Sequence, residues 1–278
     1  MNTAEFSGFL FFSSVLAGLL GALTGLGGGV VIVPVLALLF HVDIHYAIGA
    51  SLVSVIATSS GAAAAYVREG YSNIRIGMFL EIATTLGAVF GAYLTARVST
   101  HAIGIVFGLV LLYSAFASFK GKHSETGTTK ADKLATRLRL RGNFPHATGD
   151  VGYVAQHVPA GFGLMFSAGT LSGLLGIGSG AVKVLAMDQA MKLPFKVSTT
   201  TSNFMIGVTA AASAGIYLSR GYISPGLAMP VMLGVLAGSL TGAKILVHSN
   251  VKTLRIVFSL VIVALGIEMI VNSVTGRL

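Results

Sequence analysis

Cysteine and tryptophan are absent from this 278-residue chain, proline occurs only six times, and charged residues make up only 10% of it. Without cysteine there is no disulfide, no thiolate metal site and no thiol relay, which argues against electron-transfer chemistry. The shortage of charge excludes an ordinary soluble domain, where roughly a quarter of residues are charged. What fills the chain instead is 54% apolar residues and 36 glycines, at a mean hydropathy of +0.85. That composition describes an all-α polytopic membrane bundle. The glycines suit helices packed backbone to backbone and helices that are interrupted on purpose. The net charge of +9 does not point to nucleic acid, because seven of the eighteen basic residues fall in one polar segment between apolar blocks. Such a segment fits a cytoplasmic face beside anionic lipid. Met1 to Phe6 carries Glu5 and no basic residue, so the first apolar segment is expected to stay in the mature protein.

From Phe6 to Val42 there is no Asp, Glu, Lys or Arg. A single helix of that length would run roughly 55 Å, nearly twice the hydrocarbon core. The run must therefore break, and Thr24-Gly25-Leu26-Gly27-Gly28-Gly29 is where helix propensity collapses. The sequence predicts a helical hairpin over Phe6 to Phe40, then spans near Ala47–Val67, Ile76–Ala96 and Ala102–Phe119.

The pattern then starts again. A shift of 151 positions, with no gap, pairs Gly18 with Gly169, Gly25 with Gly176, Gly27 with Gly178, Gly29 with Gly180, Ser51 with Ser202, Thr58 with Thr209 and Gly87 with Gly238. An ungapped register of this length is the mark of internal duplication. The chain divides into a first repeat (1–119), a basic loop (120–158) and a second repeat (159–278). If each hairpin returns to its own side, each repeat crosses three times and the repeats are inverted. Thirteen basic residues then share one face, Arg68, Arg75, Lys192, Lys196, Lys252, Arg255 and the seven of the loop, against Arg97, Arg220 and Arg277 on the other. Parallel repeats would split the same residues 11 to 5. Positive charge concentrates on the cytoplasmic side, so the inverted arrangement is preferred, with both termini outside. The loop is read as a solvated connector in preference to a regulatory element.

Glycine-broken helices in both halves point to a transport site, because each break frees backbone N–H groups that attract anions. Gly27, Gly28 and Gly29 form one candidate set, and Gly178, Ser179 and Gly180 the other. A nucleotide-binding loop is excluded, since neither segment continues as Gly-Lys-Ser/Thr. Lys183 lies in the short arm of the second hairpin, where the first has Ile32. A buried cation needs an acidic partner or an anionic ligand, and Asp188 is the nearest acid in sequence. Ser51, Thr200, Thr201, Ser202 and Asn203 could hold oxyanion oxygens, or simply bond back to their own helix. Glu81 and Glu268 are lone carboxylates in apolar spans, and Glu81 is the better candidate for carrying a coupling proton. His41, Asp43 and His45 read as interfacial polar residues before a metal cluster. Nothing pairs a nucleophile with an oriented base, so no catalysis and no cofactor are expected.

The run from Gly18 to Gly29 followed by Pro34, the segment Ala47-Ile48-Gly49-Ala50-Ser51-Leu52, and the weaker second copy from Gly169 resemble the sulfite exporter TauE/SafE family of membrane permeases. The second copy departs from the family pattern at Ser179, Lys183 and Leu185. The resemblance implies a bacterial inner-membrane permease for small sulfur-containing anions such as sulfite and organosulfonates. Its partners would be that anion and the lipid bilayer, and a homodimer is left open.

Overall fold

The computed structural model describes residues 3–24, 28–68, 72–120, 132–146, 149–248 and 251–276. Helix α1 (Thr3–Thr24) leads to a short arm, α2 (Gly29–Pro34), which continues as a π-helical turn over Val35–Leu39. Three long helices follow, α3 (Ile44–Arg68), α4 (Ile74–Leu94) and α5 (Thr100–Lys120). A small insert carries α6 (Lys133–Arg137), β1 (Arg141–His146) and β2 (Gly149–Val154). The plan then repeats as α7 (Val158–Leu175), a short arm α8 (Gly180–Leu185) with a π turn over Ala186–Ala190, α9 (Phe195–Ser219), α10 (Pro225–His248) and α11 (Val251–Val274).

Both hairpins close on themselves. The ring of Phe6 meets that of Phe40 edge-on at 5.8 Å, and at the equivalent place in the second repeat the Gln156 amide donates to the Met191 carbonyl at 3.0 Å. Each short arm and its π turn make 11 residues, about 16 Å at 1.5 Å per residue, or half the hydrocarbon thickness. The arms end alike. His41 and Lys192 take left-handed backbone (φ 51° and 55°), and the next amides, Val42 and Leu193, reach back to Leu36 and Met187 at 3.0 Å. This resembles the Schellman closure of a helix C-terminus, made one residue wider by the π-helical last turn. The π turn does not depend on proline, because Leu185 replaces Pro34 in the second copy and the turn persists.

The duplication governs packing as well as sequence. A Cβ on Gly18 would lie 2.3 Å from the Val235 carbonyl oxygen, and one on Gly169 would lie 2.1 Å from that of Thr84. Likewise Gly238 abuts Val15 as Gly87 abuts Phe166. Each contact becomes the other under the 151-residue shift, so α1 packs on α10 as α7 packs on α4. Helices α3 and α9 pair with each other, as do α5 and α11. Only glycine permits these backbone approaches. Many large apolar side chains are exposed, among them Phe9 and Leu16 on α1, Met78, Ile82 and Leu86 on α4, and Leu109 and Phe116 on α5. Among the described residues, Ile74–Leu94 and Val158–Leu175 are long and apolar enough to cross a membrane.

The insert corrects the all-α expectation and the reading of the loop as a solvated connector. β1 and β2 pair antiparallel, with Asn143 opposite Gly152 and Phe144 opposite Val151. Ala135, Leu140, Phe144 and Tyr153 are buried in one cluster with Ile76 and Leu80 of α4 and with Met187, Met191 and Leu193 of the second hairpin. Asn73 ties the insert down. Its Oδ1 caps the Ile76 amide at 3.0 Å, while its Nδ2 donates to the Tyr153 hydroxyl at 2.9 Å and the Arg141 carbonyl at 3.3 Å. Lys122, Lys130 and Arg277 lie outside the described residues, and Arg68, Lys120, Lys252 and Arg255 lie where side chains are not described.

Candidate transport site

The two helix breaks meet at α3. In the second break Gly176 and Gly178 are left-handed (φ 67° and 69°), and so is Ser179 (φ 47°), a conformation uncommon outside glycine. Ser51 Oγ donates to the Gly176 carbonyl at 2.8 Å, with the Gly29 carbonyl 3.5 Å away. A Cβ on Gly29 would lie 2.7 Å from both Ser51 Oγ and Val55 Cγ2, so glycine is what lets the first arm start beside this hydroxyl. Ser202 on α9 repeats the contact, donating to the Gly180 carbonyl at 3.3 Å. Gly28 precedes α2, and its carbonyl accepts from the Val31 and Ile32 amides. Gly27 lies outside the described residues.

Lys183 is completely buried. Its ammonium donates to Thr209 Oγ1 on α9. That hydroxyl lies 2.7 Å from Glu81 Oε1, to which it donates, and Thr85 Oγ1 adds a second bond to the same oxygen at 3.1 Å. Glu81 is 5% exposed, and its Oε2 is buried with no hydrogen-bond partner. A cation and a carboxylate predicted separately from the sequence therefore belong to one network across α8, α9 and α4. Asp188 is buried on the π turn of the same arm. Taking two charges out of water is costly, so such a pair persists when hydrogen bonds serve both. Thr209 provides that service. Sequence reasoning recorded it only as half of a repeat pair.

The hydroxyl run on α9 is mostly occupied. Thr200 donates to the Lys196 carbonyl at 2.9 Å, the back-bonded arrangement usual for helical threonine. Thr201 Oγ1 accepts the Asn73 amide at 3.0 Å, so it anchors α4 and the insert. Asn203 is half-buried. Two buried hydroxyls here have no hydrogen-bond partner, Ser198 at the start of α9 and Ser179 in the second break, 2% exposed; Ser179 is the one beside the network. It stands four residues before Lys183, whose amide bonds the Ser179 carbonyl at 3.0 Å. Glu268 is exposed on α11, away from this network. Asp43 Oδ1 accepts from the His45 amide and Nδ1 at 2.8 and 2.9 Å, and so organises the start of α3. An apolar groove of about 370 Å³ between Tyr113, Leu164 and the second short arm does not include Lys183 in its lining.

At the opposite end of α4, Arg97 and Arg220 converge on Tyr93. Arg97 donates to the Tyr93 hydroxyl at 3.0 Å, and Arg220 donates to the Ala92 and Tyr93 carbonyls at 2.8 and 3.2 Å. Two of the residues that the charge count placed on one face are thus neighbours.

A duplicated bundle with an apolar exterior, two broken hairpins meeting inside and a buried ionic network beside one break has the construction of a membrane transporter. The chain belongs to the Sulfite exporter TauE/SafE family, whose model matches residues 10–269, and it is an integral membrane protein of that transporter family. Among curated proteins it is similar to the probable membrane transporter protein YunE of Bacillus subtilis (28% identical, over 94% of this chain and 96% of the relative). It is also similar to YdhB of the same organism (27%; 84% and 86%) and to MJ0441 of Methanocaldococcus jannaschii (25%; 94% and 94%), both named as probable membrane transporters. No solved structure matches the chain.

Proposed function

We propose that this chain is a secondary transporter of small sulfur-containing anions, sulfite or an organosulfonate, working by alternating access between two inverted repeats of the bacterial inner membrane. The observation that carries the reading is a fully buried lysine four residues past the second break, bridged by Thr209 to a buried carboxylate. An anion held at Lys183 and the unpartnered Ser179 hydroxyl would sit beside the backbone of Gly178 and Gly180, with Gly28, Gly29 and Ser51 completing the wall from the first repeat. Glu81 is positioned to take the coupling proton. Closed hairpins give each repeat three crossings and support inversion, as does the meeting of Arg97 and Arg220. The basic insert then faces the cytoplasm.

The test is uptake by proteoliposomes of radiolabelled sulfite, thiosulfate, taurine and acetate, with and without an inward proton gradient. Sulfite or the sulfonate should accumulate only when the gradient is applied, and Glu81→Gln should lower the ratio of driven accumulation to exchange between equal pools. Accumulation of acetate alone rejects the substrate class. Undiminished driving in Glu81→Gln rejects the proton role.

A further inference from the structure

We infer that Thr209 is a positioning residue whose single hydroxyl proton couples Glu81 to Lys183, so that anion and proton load together, and that this switch is built into one repeat only. The inference rests on the transport reading above. A hydroxyl has one proton to donate and lone pairs to accept with. Thr209 Oγ1 accepts from Lys183 and has two acceptors in reach, Glu81 Oε1 at 2.7 Å and the Met205 carbonyl of its own helix at 2.9 Å. Only one can be served at a time.

The molecule contains a reference for the second choice. Thr58 is the equivalent of Thr209 in the first repeat, and it donates to the Ser54 carbonyl, the equivalent of Met205, at 3.0 Å. In that repeat Ile32 stands for Lys183 and Met232 stands for Glu81. Where no carboxylate competes, the hydroxyl turns to its own helix. Thr209 keeps a similar distance to its own helix, and what Glu81 offers is a second, closer acceptor for its one proton.

Charge balance follows. In the resting site Glu81 is negative, Lys183 positive, and the hydroxyl oriented between them. A proton from water that bonds to Glu81, whose Oε2 is without a partner, removes the negative charge and leaves Lys183 uncompensated in a site of low dielectric. That state is costly until an anion arrives to pair with the ammonium. An anion alone would make the site net negative, and a proton alone net positive, so one proton accompanies one monovalent anion. The other ionisable residues on the packed elements are few. α7 has none from Val158 to Leu175. α9 has Lys196 at its start and Tyr217, bonded to Thr95, towards its end. α4 has Arg75 and Tyr93 towards its ends, the π turn has buried Asp188, and α3 has His45 and Tyr46 at its start and Tyr66 and Arg68 at its end.

The test uses proteoliposomes of the full chain and radiolabelled sulfite, comparing gradient-driven accumulation with exchange between equal pools. Thr209→Val should lower the ratio of driven accumulation to exchange by about tenfold or more, the scale of one hydrogen bond to a charged group. Thr209→Ser should restore it, and Thr58→Val should leave it within about twofold of wild type. If the valine variant does not reconstitute, Thr209→Ala replaces it with the same expectation. A wild-type ratio in the hydroxyl-free variant, no rescue by serine, or an equal loss in Thr58→Val overturns the switch while Glu81→Gln still uncouples. No sulfite uptake by wild type, or full driving in Glu81→Gln, overturns the transport reading and the switch with it.

Discussion

Glu81 and Lys183, 102 positions apart in the chain, share one threonine hydroxyl. Their separation places one charge on each repeat. The pair is therefore an inter-repeat bond as well as a candidate site.

Breaking that pair from one side should be worse than removing it. Lys183→Met leaves a buried carboxylate uncompensated, which costs about 3–5 kcal/mol, whereas Lys183→Met with Glu81→Gln should recover most of the loss. Thermal unfolding in detergent measures both. If the cation were balanced by Asp188 instead, Asp188→Asn and not Glu81→Gln would rescue the single variant.

Topology can be checked with single cysteines, since the chain has none of its own. Cysteines at Arg97 and Arg220 should react with an impermeant maleimide in intact cells, and those at Arg75 and Arg141 only after permeabilisation. Labelling of the cysteines at Arg97 and Arg220 from opposite sides would reject the inverted arrangement.

The close helix approaches make glycine replacement steeply position-dependent. Gly169→Ala drives a methyl into the Thr84 carbonyl, and Gly173→Ala drives one into that of Ala88, whereas Gly163→Ala meets nothing within 4 Å. The first two should each lose about 1–3 kcal/mol of stability. The third should be neutral or slightly stabilising through improved helix propensity.

The insert is held by a titratable latch. Burial pushes the Tyr153 hydroxyl above its ordinary value, and the bond from Asn73 opposes this only in part. The folded state thus binds the phenolic proton more tightly than the unfolded chain does. The resulting stabilisation is complete below about pH 10 and is lost as pH rises through the folded value. A cysteine at buried Ala135 should become reactive in that alkaline range. In Tyr153→Phe the pH step should vanish, and the Asn73 bond, about 0.5–1.5 kcal/mol, should be missing at neutral pH.

The duplication, the broken hairpins and the candidacy of Glu81 and Lys183 were legible because glycine runs and lone charges are conspicuous in an apolar chain. Their partnership was not, since nothing local in the sequence relates position 81 to position 183, and Asp188 offered a nearer counter-charge. The run Thr200-Thr201-Ser202-Asn203 looked like a ligand cradle, yet Thr200 serves its own helix and Thr201 serves Asn73. Hydroxyl residues carry no sign of which acceptor they will choose. The β-hairpin was hidden by the basic residues around it, although Phe144, Val151 and Tyr153 were the apolar positions that could have anchored one.

Because α1 packs on α10 and α7 on α4, neither repeat contains a complete glycine interface of its own. The nascent first repeat leaves the membrane-inserting machinery with half of each seam unmatched. Its α1 groove stays open to lipid until α10 emerges, more than two hundred residues after α1 begins. Final assembly is thus a late step, and the two halves expressed as separate polypeptides should find each other, since every missing surface of one is supplied by the other.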